Sequence, residues 1–243
     1  SEDRVNVIIV DDTFYARLRS KCVEMLSIVH DHTDNKYKKG FRLLSLAWSD
    51  GNTLIPFNFS LLASQYVEKH ICKMREDIKK TTNGYKRRIQ AITKAPETML
   101  LMLEQAVKQG IPAKHVLFDS WFSYPATIIK ITKLKLHTIA RLKDTSKVKY
   151  IYNGNKMTLK QIYKSQKKRR GRSKYLLSVT VAIYNQEGDT LDVRIVFVRD
   201  RNNRKKWIAI ISIDLSLSEE QIIQTYGKRW DIEVFFKMCK SYL

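Results

Sequence analysis

The chain has 243 residues, is 44% hydrophobic and carries a formal charge of +21, from 45 Lys and Arg against 24 Asp and Glu. That length supplies one large core, or one core carrying an inserted subdomain, and excludes several independent domains. The basic excess repels itself and points to a polyanionic partner.

No apolar run approaches the roughly 18 residues that would span a bilayer, and Ser1-Glu2-Asp3-Arg4 lacks the charge order and apolar stretch of a signal peptide. No membrane partner is therefore expected. Cys22, Cys72 and Cys239 are odd in number and far apart, which fits neither a disulfide framework nor a Cys-x-x-Cys zinc site. The expectation is a soluble protein of a reducing cytoplasm. The absence of an initial Met, and an end only a few residues past a charged helical motif, point to trimmed termini.

Val5 to Val10 is a nearly continuous apolar run rich in β-branched residues, the pattern of a strand buried on both faces, and it leads into Asp11-Asp12-Thr13. Leu43 to Trp48 and Thr53 to Phe59 form a hairpin around Ser49-Asp50-Gly51-Asn52, where Asp-Gly supplies the positive φ of a tight reversal. Glu68 to Lys94 is charged and helical in part, with no legible ends. Pro96 to Gln109 is a clearer helix, with Pro in its first turn and Gly110 and Pro112 as stop signals. His115 to Phe118 is a short strand leading into Asp119. A helix from Ser123-Pro125 to Leu134 and a strand from Leu136 to Ala140 follow.

Three strands, helix, strand, helix, strand is the ribonuclease H-like order. The predicted fold is α/β, a mixed sheet flanked by helices and interrupted by a β-rich insertion. Residues 1–140 form the first part of the core, 141–206 the basic insertion, and 207–243 the last strand and helix. Between Arg141 and Lys174 there are thirteen basic residues and one acid, Asp144, with the densest run at Lys167, Lys168, Arg169, Arg170 and Arg172. A solvated loop and a membrane surface both fit such a run, but the interleaved Tyr150, Tyr152, Tyr163 and Tyr175 favour nucleic acid. Strands are expected at Val148 to Tyr152, Tyr175 to Tyr184, Leu191 to Val198 and Trp207 to Ile213. Ser218 and Gln221 then form a capping box that starts one last helix.

On that helix Tyr226, Arg229, Glu233, Lys237 and Lys240 fall within an arc of roughly 80° at about 100° per residue. Apolar residues fill most of the remaining circumference, so the helix is expected to be buried on nearly every side except this stripe, which would line a cleft. Asp11, Asp119 and Glu233 each stand at the edge of a core element. Hard oxygen donors from three separated points, without thiolates, suit magnesium, or manganese, in a pair of ions that activates an attacking oxygen and stabilises the leaving one.

The same residues resemble a known family. Asp11-Asp12-Thr13, then Phe118-Asp119-Ser120-Trp121-Phe122, then Tyr226-x2-Arg229-x3-Glu233-x6-Lys240 are similar to the DDE transposases of bacterial insertion sequences, in the insertion-sequence-four type group named for its YREK signature. The resemblance implies a transposase core that cleaves transposon ends and joins them to target DNA, acting as a homodimer in a synaptic complex. It implies that Asp11, Asp119 and Glu233 hold the metals, with Asp12 the alternative to Asp11. Tyr226, Arg229 and Lys240 would contact phosphates, with Lys237 and the basic run adding to the DNA surface. Trp207 falls near the family position of a tryptophan that stacks on a base displaced from a DNA hairpin, though a core aromatic at the head of a buried strand reads equally well.

Three rival readings remain. His30-Asp31-His32-Thr33-Asp34 superficially matches the His-x-His-x-Asp of two-zinc hydrolases, yet position 35 is Asn and only His70, His115 and His137 follow. A domesticated, non-catalytic nucleic-acid binder explains the charge but not three intact carboxylates. A ribonuclease H-like nuclease would share the carboxylates but would not require Tyr, Arg and Lys at this spacing.

Overall fold

Strand β1 (Val7–Ala16) lies between two neighbours of opposite sense. It runs antiparallel to β3 (Lys36–Ser49) and parallel to β5 (His115–Phe118), with Val7 opposite both Ser49 and His115. The computed structural model describes residues 5–31, 34–201, 203 and 205–242. From β3 the chain turns back into β4 (Leu54–Leu62), and β2 (Ser27–Asp31) pairs with the leading end of β3 on the same side. Beyond β5 lies β6 (His137–Leu142), again parallel. The order β4-β3-β1-β5-β6, three antiparallel strands followed by two parallel ones, is ribonuclease H-like.

The sheet does not stop there. β11 (Trp207–Ser212) pairs antiparallel with β6 and carries β10 (Thr190–Arg199), β9 (Leu177–Tyr184), β7 (Tyr150–Tyr152) and β8 (Asn155–Met157) outward. The described residues thus form a mixed α/β sheet of 11 strands. The basic stretch between β6 and β11 also contains a short helix, α4 (Leu159–Ser165), closed by a capping box of Thr158 and Gln161.

Helices cover both faces where the carboxylates gather. Alternation along β1 sends Ile8 and Val10 into a core with α2 (Ala95–Lys108) and α3 (Pro125–Lys133), through Met99, Met102, Leu103 and Ile128. It sends Val7 and Ile9 to the opposite face, against Ile222 of α5 (Glu219–Gly227) and Ile232 and Phe236 of α6 (Trp230–Tyr242). Burial on both sides is why the start of β1 and Val116 to Phe118 of β5 read as unbroken apolar runs. Among the described residues no helix is long and apolar enough to cross a membrane.

Three features differ from expectation. β1 does not end at Val10 but continues to Ala16, because β3 pairs with it along its whole length, from Val7↔Ser49 to Ala16↔Gly40. Gly40 permits that close end: a Cβ there would sit 2.3 Å from the Tyr15 carbonyl oxygen and 2.7 Å from the Phe14 ring. The charged stretch 68–94 resolves into a single 3-10 turn and one helix, α1 (Asn83–Ile92), started by the Thr82 side chain accepting from the Tyr85 N–H.

The third difference matters most for function. The last helix is two helices, α5 and α6, parted at Lys228 and Arg229. The capping box of Ser218 and Gln221 does open α5. Gly227 then weakens the helix by about 1 kcal/mol relative to Ala. The amides of Lys228, Arg229 and Asp231 each bond three residues back, the tighter 3-10 pattern. The Lys228 ammonium anchors this junction by donating to the carbonyls of Val5 at 2.9 Å and Asp50 at 3.1 Å. It lies so close over Gly51, which adopts φ +98, that a Cβ would approach it to 2.9 Å. The expectation that the helix is buried around nearly all of its circumference also fails. Only Ile232 and Phe236 of α6 are buried, one i, i+4 seam against the sheet, while Trp230, Val234 and Met238 are 62%, 47% and 53% exposed.

Candidate active site

The carboxyl ends of adjacent parallel strands are where an open α/β sheet most readily builds a site. Here they bring two acids level. The parallel register sets Ile9 opposite Leu117, and the same register continued for two residues sets Asp11 opposite Asp119. Asp119 follows β5 directly, and its Oδ1 accepts from the Trp121 N–H at 2.9 Å, a turn closed by the aspartate itself. Asp11 lies within β1 rather than after it.

The two acids of the Asp11-Asp12 pair face opposite ways, as strand alternation requires. Asp11 shares the face of Val7 and Ile9 and meets the α5–α6 junction, where Arg229 Nη1 lies 3.4 Å from its Oδ2. Asp12 instead accepts from Arg42 Nε of β3 at 2.6 Å. Glu233 stands in the first turn of α6, and Arg229 Nη2 donates to its Oε1. One guanidinium therefore spans Asp11 and Glu233. Tyr226, in the last turn of α5, places its ring centroid 5.9 Å from the Arg229 guanidinium carbon.

The electrostatics follow from burial and crowding. The Asp11 carboxyl is pushed up to about 7, chiefly by burial; Arg229 works against the rise, while Asp12 and Asp119 add to it. Burial also lifts the Tyr226 phenol above its ordinary value. For Arg229 burial acts the other way, but Tyr226, Glu233 and Asp11 together hold it above its usual range. Among the described residues no group of three His, Cys, Asp or Glu side chains is arranged to hold a metal ion. The cation spanning the site is Arg229.

The remaining sequence-derived residues scatter more widely. Lys240 Nζ donates to Thr13 Oγ1 at 2.6 Å, two residues along β1 from Asp11, and Lys237 is exposed on α6. The basic run lies between α4 and β9, where Lys167, Arg169, Arg170 and Arg172 are exposed. Lys168 Nζ sits 4.7 Å from the Tyr163 ring centre, and the Arg169 guanidinium 4.3 Å from that of Tyr175. Trp207 stacks on Tyr163 at 5.2 Å and meets Phe197 edge-on at 5.0 Å. In the zinc-like motif, His32 and Thr33 lie outside the described residues, Asp31 pairs with Lys38 at 3.0 Å, and His30 Nε2 lies 3.0 Å from Asn35 Oδ1.

Two site residues escape the sequence reading. Arg42 holds Asp12 and also lies 5.1 Å from the Trp121 ring centre; its only sequence signal is an arginine within the otherwise apolar run Phe41-Arg42-Leu43-Leu44. Lys228 sets the junction that aims Arg229, and nothing local in the sequence marks it.

Comparison with known proteins adds a family. No curated protein matches the chain. Among solved structures, the piggyBac transposase synaptic complex with hairpin DNA, seen by cryo-electron microscopy, is similar at a TM-score of 0.49 and 12% identity, over 96% of this chain. This chain spans 40% of the length of that one. The family model for the DDE superfamily endonucleases matches residues 1–205, a stretch that includes Asp11 and Asp119 and that Glu233 follows. The chain belongs to the DDE superfamily endonucleases.

Proposed function

We propose that this chain is the catalytic domain of a DNA transposase of the insertion-sequence type carrying the YREK signature, cutting at transposon ends and joining them to target DNA. The observation that carries this reading is that Asp11, two residues past the Ile9–Leu117 pair, and Asp119, just past the end of β5, come off two adjacent parallel strands, with Glu233 tied to Asp11 through Arg229. Asp11 rather than Asp12 is the first ligand in this proposal, because Asp12 turns away to Arg42.

The donor set fits a divalent cation. Arg229 joins Asp11 and Glu233, Asp119 adds to the negative charge around Asp11, and Asp11 is driven toward protonation by burial and like charge, so the three carboxylates are of the type and charge that a divalent cation would draw together. Asp11, Asp119 and Glu233 would hold two magnesium or manganese ions, which when bound supply Lewis-acid stabilisation to an in-line displacement at phosphorus. Arg229 then serves phosphate oxygens instead of carboxylates, for which its planar fork is equally suited. Lys240, beside Thr13, and exposed Lys237 extend that cationic wall along α6, and the basic run adds contacts indifferent to sequence. Two copies of the domain would act together on the paired ends.

The test is cleavage and strand transfer on a substrate carrying transposon ends, with magnesium, by the wild type and by Asp119→Ala and Glu233→Gln. Expected is metal-dependent cutting and joining that both variants lose while still binding DNA. Cutting without joining would favour a ribonuclease H-like nuclease, and binding without either would favour a domesticated, non-catalytic protein.

A further inference from the structure

A groove of 630 Å³ opens beside Trp121, between the β2–β3 ribbon and the segment that follows β4, lined among others by His30, Tyr37, Arg42, Tyr66 and Trp121. Its size falls within the range of roughly 300 to 1,000 Å³ typical of small-ligand sites. Four of those five side chains are aromatic, and three are turned to solvent: Tyr37 is 74% exposed, Tyr66 59% and Trp121 40%. Rings of this size usually lie at least half inside a fold, so two that do not, beside a third that is 40% exposed, mark a binding surface around one concavity.

The rings are positioned, and they are positioned with cations. His30 and Tyr37 are directly opposed across β2 and β3 and meet edge to face at 5.1 Å. The Lys69 ammonium lies 4.6 Å from the Tyr66 ring centre. Arg42, anchored on Asp12, lies 5.1 Å from the centre of Trp121. Aromatic faces interleaved with basic groups are what recognises single-stranded nucleic acid, since every base has a stacking face and every linkage a negative charge. An apolar partner would not call for the cations, and a paired base inside a duplex cannot present its face.

The location gives the groove its role. The Trp121 amide donates to Asp119 Oδ1 at 2.9 Å, so the groove begins two residues from a carboxylate of the candidate active site. Trp207 is differently placed, stacked on Tyr163. We propose that the groove binds one unpaired nucleotide adjacent to the phosphate being cut, its base stacked on Trp121 and bordered by Tyr37 and Tyr66. The proposal rests on DNA being the substrate of the Asp11, Asp119 and Glu233 site.

The test measures the affinity of the full chain, without divalent metal so that nothing is cut, for a blunt duplex and for the same duplex with a short single-stranded extension. The wild type is expected to prefer the extended duplex by roughly five- to a hundred-fold, the range that one stacked base provides. An abasic extension should lose that preference. Trp121→Ala should bring the ratio near one and Trp121→Phe should keep most of it. Tyr37→Ala, at a position so exposed that folding is not at stake, should reduce it. Melting temperatures accompany each variant. An unchanged ratio in Tyr37→Ala and in folded Trp121→Ala, or an abasic extension bound as well as a normal one, overturns the proposal. A wild type that binds and cuts duplex DNA without preferring the extension overturns the groove alone. A wild type that binds neither DNA overturns both the groove and the function it rests on.

Discussion

From the break between α5 and α6, Arg229 reaches Asp11 at 3.4 Å, while its other terminal nitrogen bonds Glu233. The side chains of Arg229 and Asp11 are only 14% and 15% exposed, so water does little to screen the pair. Replacing Arg229 with Gln leaves two carboxylates facing each other without their shared cation. The expected cost is on the order of 3 kcal/mol, as for other part-buried pairs that lose one partner. On the proposed metal role, added magnesium should raise the melting temperature of Arg229→Gln more than that of the wild type, because the guanidinium no longer competes for the carboxylates. Equal shifts in both proteins would argue against a shared site.

The raised Asp11 carboxyl sets a pH dependence of stability. Its value is about 7 in the folded chain against 3.8 ordinarily, so between these limits the folded state holds a proton that the unfolded state has released. Stability from this group therefore falls as pH rises through the window, and the full cost is present above about pH 7. Asp11→Asn cannot titrate and avoids the cost. The variant should melt several degrees above wild type at pH 8, with the gap closing as the pH falls toward 4, and it should be inactive in cleavage. Thermal melts at a series of pH values check this, and a gap independent of pH would place the cause elsewhere.

The parts of this site that could be read from sequence are those fixed by local pattern. Strands buried on both faces write themselves as apolar runs, so the ends of two such runs located Asp11 and Asp119, and the facing of Asp11 follows from counting residues by twos. The break between α5 and α6 left no comparable trace. Helical periodicity continues through a junction of two residues, and the bonds that fix it come from Val5 and Asp50, 223 and 178 positions from Lys228. Exposure of Trp230, Val234 and Met238 followed from the same break, which decides which seam of α6 meets the sheet. The Arg42–Asp12 pair depends on strand register, and α4, at 7 residues, is too short to show a period.

The basic run between α4 and β9 should contribute affinity without specificity. Four of its five charged residues are exposed, and the fifth, Lys168, lies over Tyr163. Replacing all five with neutral residues should weaken binding to any DNA sequence. The slope of log affinity against log salt should flatten by up to about 0.9 for each phosphate that is no longer neutralised, with sequence preference unchanged. Binding measured across a salt series gives the slope, and an unaltered one identifies the run as a solvated loop.

Trp207 heads β11 with one face on Tyr163 and an edge against Phe197, packed against the core that holds Phe197. Removing it opens a gap beneath Tyr163 and loosens the ring that Lys168 covers. Trp207→Ala should therefore lower stability by about 3 kcal/mol, near the small end of large-to-small aromatic substitutions because the ring is half-buried. Every step of DNA cleavage and joining should fall together near the lowered melting temperature, and Trp207→Phe should recover most of the loss. A stacking platform for a base displaced from a hairpin end would behave differently, since the stack forms only when the DNA is bent into that state. Melting temperature, first-strand nicking and hairpin formation measured on the same preparation separate the two roles. If Trp207→Ala kept its melting temperature and its nicking rate and lost only hairpin formation, the partner that matters to this ring would be a base rather than Tyr163.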